Sequence, residues 1–99
     1  MDRAGRHFRD ALGRRPDYGE AANNLALVFV ARKQADAAVG ILQSVLKRTP
    51  EYEAAYVTLA KIHFSAGRVR EGIAVLEQLL QRNPTHAVAL ELLRQWQGL

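Results

Sequence analysis

The sequence contains no cysteine, only three prolines and a single tryptophan among its 99 residues. Without cysteine the chain can form no disulfide, use no thiolate nucleophile and bind no metal through sulfur. The scarcity of proline, together with a hydrophobic content of 48%, argues against a disordered chain. We therefore expect one folded domain with a single core over residues 1–99.

Long apolar runs are also missing. The longest one, residues 25–31, is far shorter than the roughly 20 residues that a membrane-spanning helix needs. Residues 1–16 have no apolar segment of the kind found in a signal peptide. These absences predict a soluble, cytoplasmic protein with no membrane partner.

Charge of either sign is modest, and its distribution is uneven. Residues 1–16 hold five arginines and two aspartates, which supplies +3 of the total net charge of +4. Clustered arginines can attract phosphates, so binding of nucleic acid or of an acidic partner is one hypothesis for this segment. The arginines are interspersed with the aspartates and have no aromatic platform beside them. A solvated surface is therefore favoured over a nucleic-acid partner.

Patterns typical of catalysis or of cofactor binding are lacking too. His7, His63 and His86 are too scattered to match the spacing of metal ligands. No Ser/His/Asp set, paired carboxylates or glycine-rich phosphate loop falls on one face of a predicted element. We expect no enzymatic activity, no cofactor and no metal.

What the sequence does contain is a repeat. Pro16, Pro50 and Pro84 are evenly spaced along the chain. The residues four and two positions before each proline recur in the same register, as Leu12, Leu46 and Leu80 and as Arg14, Arg48 and Arg82. A period of about 34 residues indicates stacked structural units that bury a common core between neighbours.

Apolar residues follow helical spacing throughout the chain, with no strand-like alternation. The spacing predicts helices over about residues 2–13, 19–32, 35–48, 53–66, 69–82 and 87–97. Each proline ends the helix before it. Gly67 is predicted to form a left-handed helix cap, for which its counterpart Lys33 is a poorer residue. Connections this short make consecutive helices antiparallel neighbours.

The last predicted helix differs from its counterparts. Its inward stripe is predicted to consist of Ala89, Leu90, Leu93 and Trp96, with Leu93 and Trp96 turned back onto the preceding helix. Arg94 and Gln97 occupy the positions that would face a following helix, where the earlier helices have small or aromatic residues. Their polarity predicts a solvated capping helix at this end, whereas the unmatched first half-unit favours truncation at the other.

A pair of helices that spans one such period and ends in proline resembles the tetratricopeptide repeat. The matches in residues 19–52 are Leu25, Ala26, Phe29, Ala38, Leu42, Leu46 and Pro50, and those in residues 53–86 are Tyr56, Leu59, Ala60, Gly67, Gly72, Leu76, Leu80 and Pro84. Residues 1–18 resemble only the second helix of a unit, residues 87–99 only the first, and His63 stands in an aromatic packing position. The resemblance implies an all-α, right-handed superhelix of antiparallel helix pairs with six helices. These helices would make up a half unit, two full units and a second half unit.

The resemblance also implies a function, namely a noncatalytic module whose first helices line a concave groove for a peptide or helix of a protein partner. The candidate groove residues are Asn23, Asn24, Leu27, Val30, Val57, Lys61, Phe64 and Glu91. The alternative for the apolar members of this set is burial between adjacent first helices in a tightly curved stack. Both alternatives rest on the helix predicted over residues 19–32, which is apolar on almost all of its faces.

Two further possibilities follow from the resemblance. Some members bind a C-terminal carboxylate through lysines, asparagines and an arginine, but the matching positions hold Asn23, Leu27, Thr58, Val88 and Leu92, which disfavours such a ligand. The second possibility is a structural role, either as a segment of a longer array or as a homodimer formed through the N-terminal helix. Phe8, Ala11 and Leu12 would have lost a neighbour at that end.

Overall fold

The computed structural model describes residues 18–98. In this part of the chain all regular structure is helical, as predicted: α1 is Tyr18–Ala31, α2 is Ala35–Arg48, α3 is Glu53–Ser65, α4 is Val69–Arg82 and α5 is Ala87–Gln97. The predicted helix over residues 2–13, with its arginines and with Phe8, Ala11 and Leu12, lies outside the described residues. The predictions that concern it, including dimerisation and nucleic-acid binding, remain predictions.

The five helices form two layers. Each helix packs against the next one along the chain, and α1 also contacts α3 directly. No contact of comparable extent joins α2 to α4. The first helices of the units, α1, α3 and α5, therefore make one layer, and the second helices, α2 and α4, make the other.

The core lies between these layers. The largest fully buried side chains all come from the second helices and are Leu42, Val45, Leu76 and Leu79. Ala26, Ala38 and Ala60 have no exposed surface, as expected for small residues where paired helices cross closely. Because each unit contributes to a core shared with its neighbour, stacking stabilises helices that are too short to persist alone.

Gly72 marks the closest approach between α3 and α4. A Cβ atom at this position would lie 2.9 Å from the carbonyl oxygen of Ala60 and 3.1 Å from Cζ3 of Trp96. The first of these neighbours is backbone and cannot move aside without shifting α3. This contact confirms that Gly72 is required for close packing.

The turn between α3 and α4 contains the predicted left-handed cap. Gly67 has a φ of 82°. Its N–H donates to the carbonyl of Phe64 at 3.0 Å, and the N–H of Arg68 donates to the carbonyl of His63 at 2.8 Å. This pair of hydrogen bonds is the Schellman motif that ends many helices.

The turn between α1 and α2 repeats the same geometry without glycine. Lys33 has a φ of 61°, and its N–H donates to the carbonyl of Val30 at 2.9 Å. The N–H of Gln34 donates to the carbonyl of Phe29, also at 2.9 Å. Lys33 therefore adopts a conformation that costs a residue with a Cβ about 1 kcal/mol or more.

Polar contacts join successive units. Arg68 donates to Asp36 Oδ1 at 2.8 Å, which ties the α3–α4 turn to the start of α2. At the next joint Asn83 Nδ2 donates to Glu53 Oε1 at 3.3 Å, and His86 Nε2 lies 3.6 Å from the same oxygen. His86 Nδ1 also accepts from the N–H of Ala89 at 3.2 Å and so caps α5.

The contact between the α2–α3 turn and the start of α1 corresponds, one repeat earlier, to the contact of Asn83 and His86 with Glu53. It is made by an aromatic ring instead of polar groups. The ring of Tyr52 lies so close to Gly19 that a Cβ atom there would be 2.7 Å from the ring. Burial, together with the charge of Glu20, raises the pKa of the Tyr52 hydroxyl. Tyr56 donates its own hydroxyl to the carbonyl of Pro50 at 2.9 Å, which holds the proline turn against α3.

The predicted inward stripe of α5 is wrong at one position. Leu90 is 46% exposed, whereas Tyr56, its counterpart one repeat earlier, is only 6% exposed. The difference arises because α3 packs against α1, α2 and α4, while α5 packs against α4 and reaches α3 through Trp96. No further helix of residues 18–98 covers Leu90.

Candidate binding face

The repeat register identifies the outward face of the first-helix layer. Two positions of the repeat are exposed in all three helices. One is occupied by Leu27, Lys61 and Gln95, and the other by Glu20, Ala54 and Val88. Both positions lie opposite the buried stripe of their helix. We call the outward surface of α1, α3 and α5 the binding face.

Three of the eight predicted groove residues point outward on this face. Leu27 is 48% exposed, and Asn24 and Lys61 are also exposed. Val88 is equally exposed at 48% and belongs to the same face, although it is not among the eight. The signal that could have found it is its register with Glu20 and Ala54.

The other apolar members of the set lie at the sides of their helices. Val30, Val57 and Phe64 are half-buried. Phe64 stacks on Trp96 of α5, with ring centroids 4.5 Å apart and 17° between the ring planes. All three side chains pack against the core and keep some surface open to solvent, so the groove and the burial hypotheses for them both stay predictions.

Asn23 is half-buried on the same side of α1. Its Oδ1 atom is fully buried and accepts no hydrogen bond from residues 18–98. A buried acceptor without a donor costs about 1–3 kcal/mol. Asn23 is thus a polar group whose hydrogen-bonding capacity the fold leaves unused.

Glu91 is exposed on α5 and its charge is already paired. Arg94 donates to its two oxygens at 2.6 and 2.8 Å, and Gln95 Nε2 donates at 3.0 Å. The hydrogen bonds from Arg94, and then from Gln95, lower the pKa of the Glu91 carboxyl. Glu91 therefore stays ionised and neutralised by its neighbour.

Lys61 has the opposite character. It is exposed at the middle of the binding face, and no acidic side chain of residues 18–98 forms a salt bridge with it. Val57 and Phe64 flank it on α3, one turn away on either side. The face consequently presents an unpaired cation surrounded by partly apolar surface.

His63 fills the aromatic packing position that the sequence indicated. It is 7% exposed, and its Nδ1 has no hydrogen-bond partner in the described part of the chain. Burial, and then the charge of Arg68, lower its pKa. His63 is a neutral core residue at physiological pH.

Metal-binding clusters and membrane-spanning helices are absent from the described part of the chain. In residues 18–98 no group of three or more histidine, aspartate or glutamate side chains is arranged to hold a metal ion. Within the same range, no helix combines the length and the apolar character that crossing a bilayer would take.

The repeat register and the helix pairs agree with a comparison to known families. A family model described as tetratricopeptide repeat matches residues 29–95. No curated protein has a sequence significantly similar to this chain. The match spans more than half of the chain: it includes the last three residues of α1, all of α2, α3 and α4, and most of α5. The chain belongs to the tetratricopeptide repeat family.

Proposed function

We propose that the chain is a noncatalytic module that binds a segment of a protein partner across the binding face. Repeats of this family generally mediate protein–protein interaction. The observation that carries the proposal is the exposure of large apolar side chains on this face, Leu27 on α1 and Val88 on α5, each at 48%. Val57 and Phe64 of α3, the helix between these two, are also partly exposed, and an exposed apolar patch marks an interaction site.

The packing of the two layers supports a concave shape for this face. α1 contacts α3 directly, and α3 meets α5 through the stack of Phe64 on Trp96, whereas α2 and α4 make no contact as extensive as that between α1 and α3. In a curved stack the helices on the inner side approach each other more closely than those on the outer side. The first-helix layer therefore suits the inner, concave side of a superhelix.

The apolar residues of the face supply only part of the binding free energy. Full burial of a leucine or valine side chain stabilises by about 1.5–3 kcal/mol, so covering the exposed halves of Leu27 and Val88 contributes about 1 kcal/mol each. Association itself costs at least about 4 kcal/mol. Val57 and Phe64 add further area, and polar groups of the face must add the rest.

Binding can be tested with a phage-displayed library of random linear peptides panned against the protein. We expect captured peptides to be lost on Leu27→Asp and on Val57→Asp, with circular dichroism unchanged. Gln43→Asp, on an exposed position of α2, is the matched control and should retain them. Unfolding of the Leu27 and Val57 variants would instead support burial between curved first helices, and binders that are insensitive to both would contradict the proposal.

A second candidate is the structural role, and the observation that favours it is Val28. This residue is 44% exposed, whereas its counterparts Ile62 and Trp96 belong to the core and are 4% and 7% exposed. Within residues 18–98 no helix precedes α1 on this side, and an exposed valine there suits contact with another unit or another copy. Light scattering tests this candidate: a dimer abolished by Val28→Asp or Phe8→Asp would support it, and a monomer at high concentration would exclude the dimer.

A further inference from the structure

We infer that the bound segment is extended and acidic, with an apolar side chain on Leu27 and, three residues away, a carboxylate on Lys61. The inference rests on the proposed function, since it specifies the partner of the same face. It follows from the charge, the order of side chains across the layer and the spacing of the helices.

The charge of the face determines the sign of the partner. Lys61 is exposed at its middle and has no salt bridge with any of residues 18–98, whereas Glu91 is already bonded to Arg94 and Gln95. The remaining acid, Glu20, lies at the edge of the face beside Tyr52. A segment that crosses the face at the level of Leu27, Lys61 and Gln95 therefore meets, among residues 18–98, a cation without a salt bridge and no anion.

The ion pair contributes specificity more than affinity. A fully exposed pair stabilises a complex only slightly, but a segment that covers Val57 and Phe64 would exclude water from one side of Lys61 and strengthen the attraction. A basic residue at the same place would be repelled. Charge complementarity of this type selects among partners and speeds association.

The order of side chains across the layer favours an extended segment over a helix. Leu27, Lys61 and Gln95 share one position of the repeat and so lie side by side across the three helices. The first side chain is apolar, the second is a cation and the third is an amide. A helix laid across the layer would need a continuous apolar strip, and Lys61 interrupts it. The face instead presents an apolar, a cationic and an amide side chain one after another.

Hydrogen bonding leads to the same conclusion. A helix satisfies its own backbone, whereas a polyproline II segment has no internal hydrogen bonds and leaves every N–H and C=O group to be paired. Asn24 on α1 and Thr58 on α3 offer polar side chains on the face. Asn23 has an unpaired Oδ1, which a backbone N–H could pair after the side-chain amide rotates.

The spacing of the two contacts follows from helix packing. The axes of packed helices are about 8–10 Å apart, so Leu27 and Lys61, at the same level of α1 and α3, are separated by about that distance. A polyproline II segment rises about 3.1 Å per residue with three residues per turn. Residues three apart therefore point the same way and lie about 9 Å apart, which matches the two contacts.

The test compares the peptides that the random library yields for the wild type, Lys61→Glu and Lys47→Glu. Lys47 is exposed on α2, so its substitution changes the net charge equally but leaves the binding face intact. We expect wild-type binders to share a large apolar residue three positions from aspartate or glutamate. Peptides selected by Lys61→Glu should carry lysine or arginine at the position where wild-type binders carry aspartate or glutamate. Peptides selected by Lys47→Glu should keep the acidic residue.

A selected peptide should bind Lys61→Glu about tenfold or more weakly than the wild type, a change of about 1.4 kcal/mol, because the reversal replaces attraction by repulsion. Binders that are lost on Leu27→Asp but show no acidic preference would overturn this inference and leave the proposed function standing. Acidic and apolar residues seven apart would indicate a helix and would also overturn it. A library that yields no binder sensitive to Leu27→Asp would contradict the inference and the proposed function together.

Discussion

The indole of Trp96 lies on the ring of Phe64, with centroids 4.5 Å apart and 17° between the planes. Since Phe64 belongs to α3 and Trp96 to α5, the stack joins two first helices that are not adjacent in sequence. The indole also covers Gly72 of α4. Trp96 therefore holds the last helix in place, and with it the part of the binding face that carries Val88.

Replacing Trp96 should destabilise the domain strongly. Loss of a buried tryptophan costs about 3–5 kcal/mol, and the aromatic stack adds about 0.5–1.5 kcal/mol. We expect Trp96→Ala to lower the free energy of unfolding by about 3 kcal/mol or more, measured by urea denaturation followed by circular dichroism. Gln97→Ala, an exposed neighbour, should have little effect. A loss below about 1 kcal/mol for Trp96→Ala would contradict this role.

Two glycines within helices should respond to alanine in opposite directions. At Gly72 the new Cβ would lie 2.9 Å from the Ala60 carbonyl oxygen, whereas at Gly40 nothing lies within 4 Å. Alanine is favoured over glycine in a helix by about 1 kcal/mol. Gly40→Ala should therefore raise the melting temperature and Gly72→Ala should lower it. Equal stabilisation by both substitutions would show that α3 and α4 are not in close contact.

The two left-handed caps offer a second matched pair. Lys33 and Gly67 have φ values of 61° and 82° in turns with the same hydrogen bonds. Lys33→Gly should raise the free energy of unfolding by about 0.5–1 kcal/mol, because glycine adopts this conformation without strain. Gly67→Ala should lower it by about 1 kcal/mol for the converse reason. Thermal denaturation of both variants measures these changes, and destabilisation by Lys33→Gly would contradict the cap geometry.

Stability should fall in mild acid because of His63. Burial and Arg68 lower its pKa in the folded state below the ordinary value of 6.5, so the unfolded chain binds a proton more readily. The free energy of unfolding therefore decreases as the pH falls from about 6.5 through the folded-state pKa, and levels off below that. His63→Phe, which introduces the residue found at Phe29 one unit earlier, should flatten this dependence. Denaturation midpoints between about pH 7 and pH 4 test it, and identical slopes in both proteins would exclude His63 as the cause.

Much of this fold could be predicted because the repeat constrains it. Pro50 and Pro84 end α2 and α4 within two residues, and Gly67 and Gly72 occupy the cap and the close contact that their positions require. The prediction that Leu90 is buried is wrong because the repeat register with Tyr56 shows only on which side of α5 the residue lies. Its exposure depends on which helices pack there.

The binding face was harder to derive for a related reason. The repeat register places Leu27 and Lys61 at the same level, but exposure at the sides of the helices depends on the distance between neighbours. Phe64 shows this, because its partial burial follows from Trp96, which belongs to a different unit. No local pattern in α3 indicates that contact.

The central claim is that a partner segment binds on the layer of α1, α3 and α5. The most direct measurement is a titration of the isotopically labelled protein with a panned peptide, followed by amide and methyl NMR. We predict that shift changes concentrate at Leu27, Lys61 and Val88, and that the methyl groups of Leu42 and Leu76 in the core change little. Changes confined to the exposed surfaces of α2 and α4 would contradict the claim.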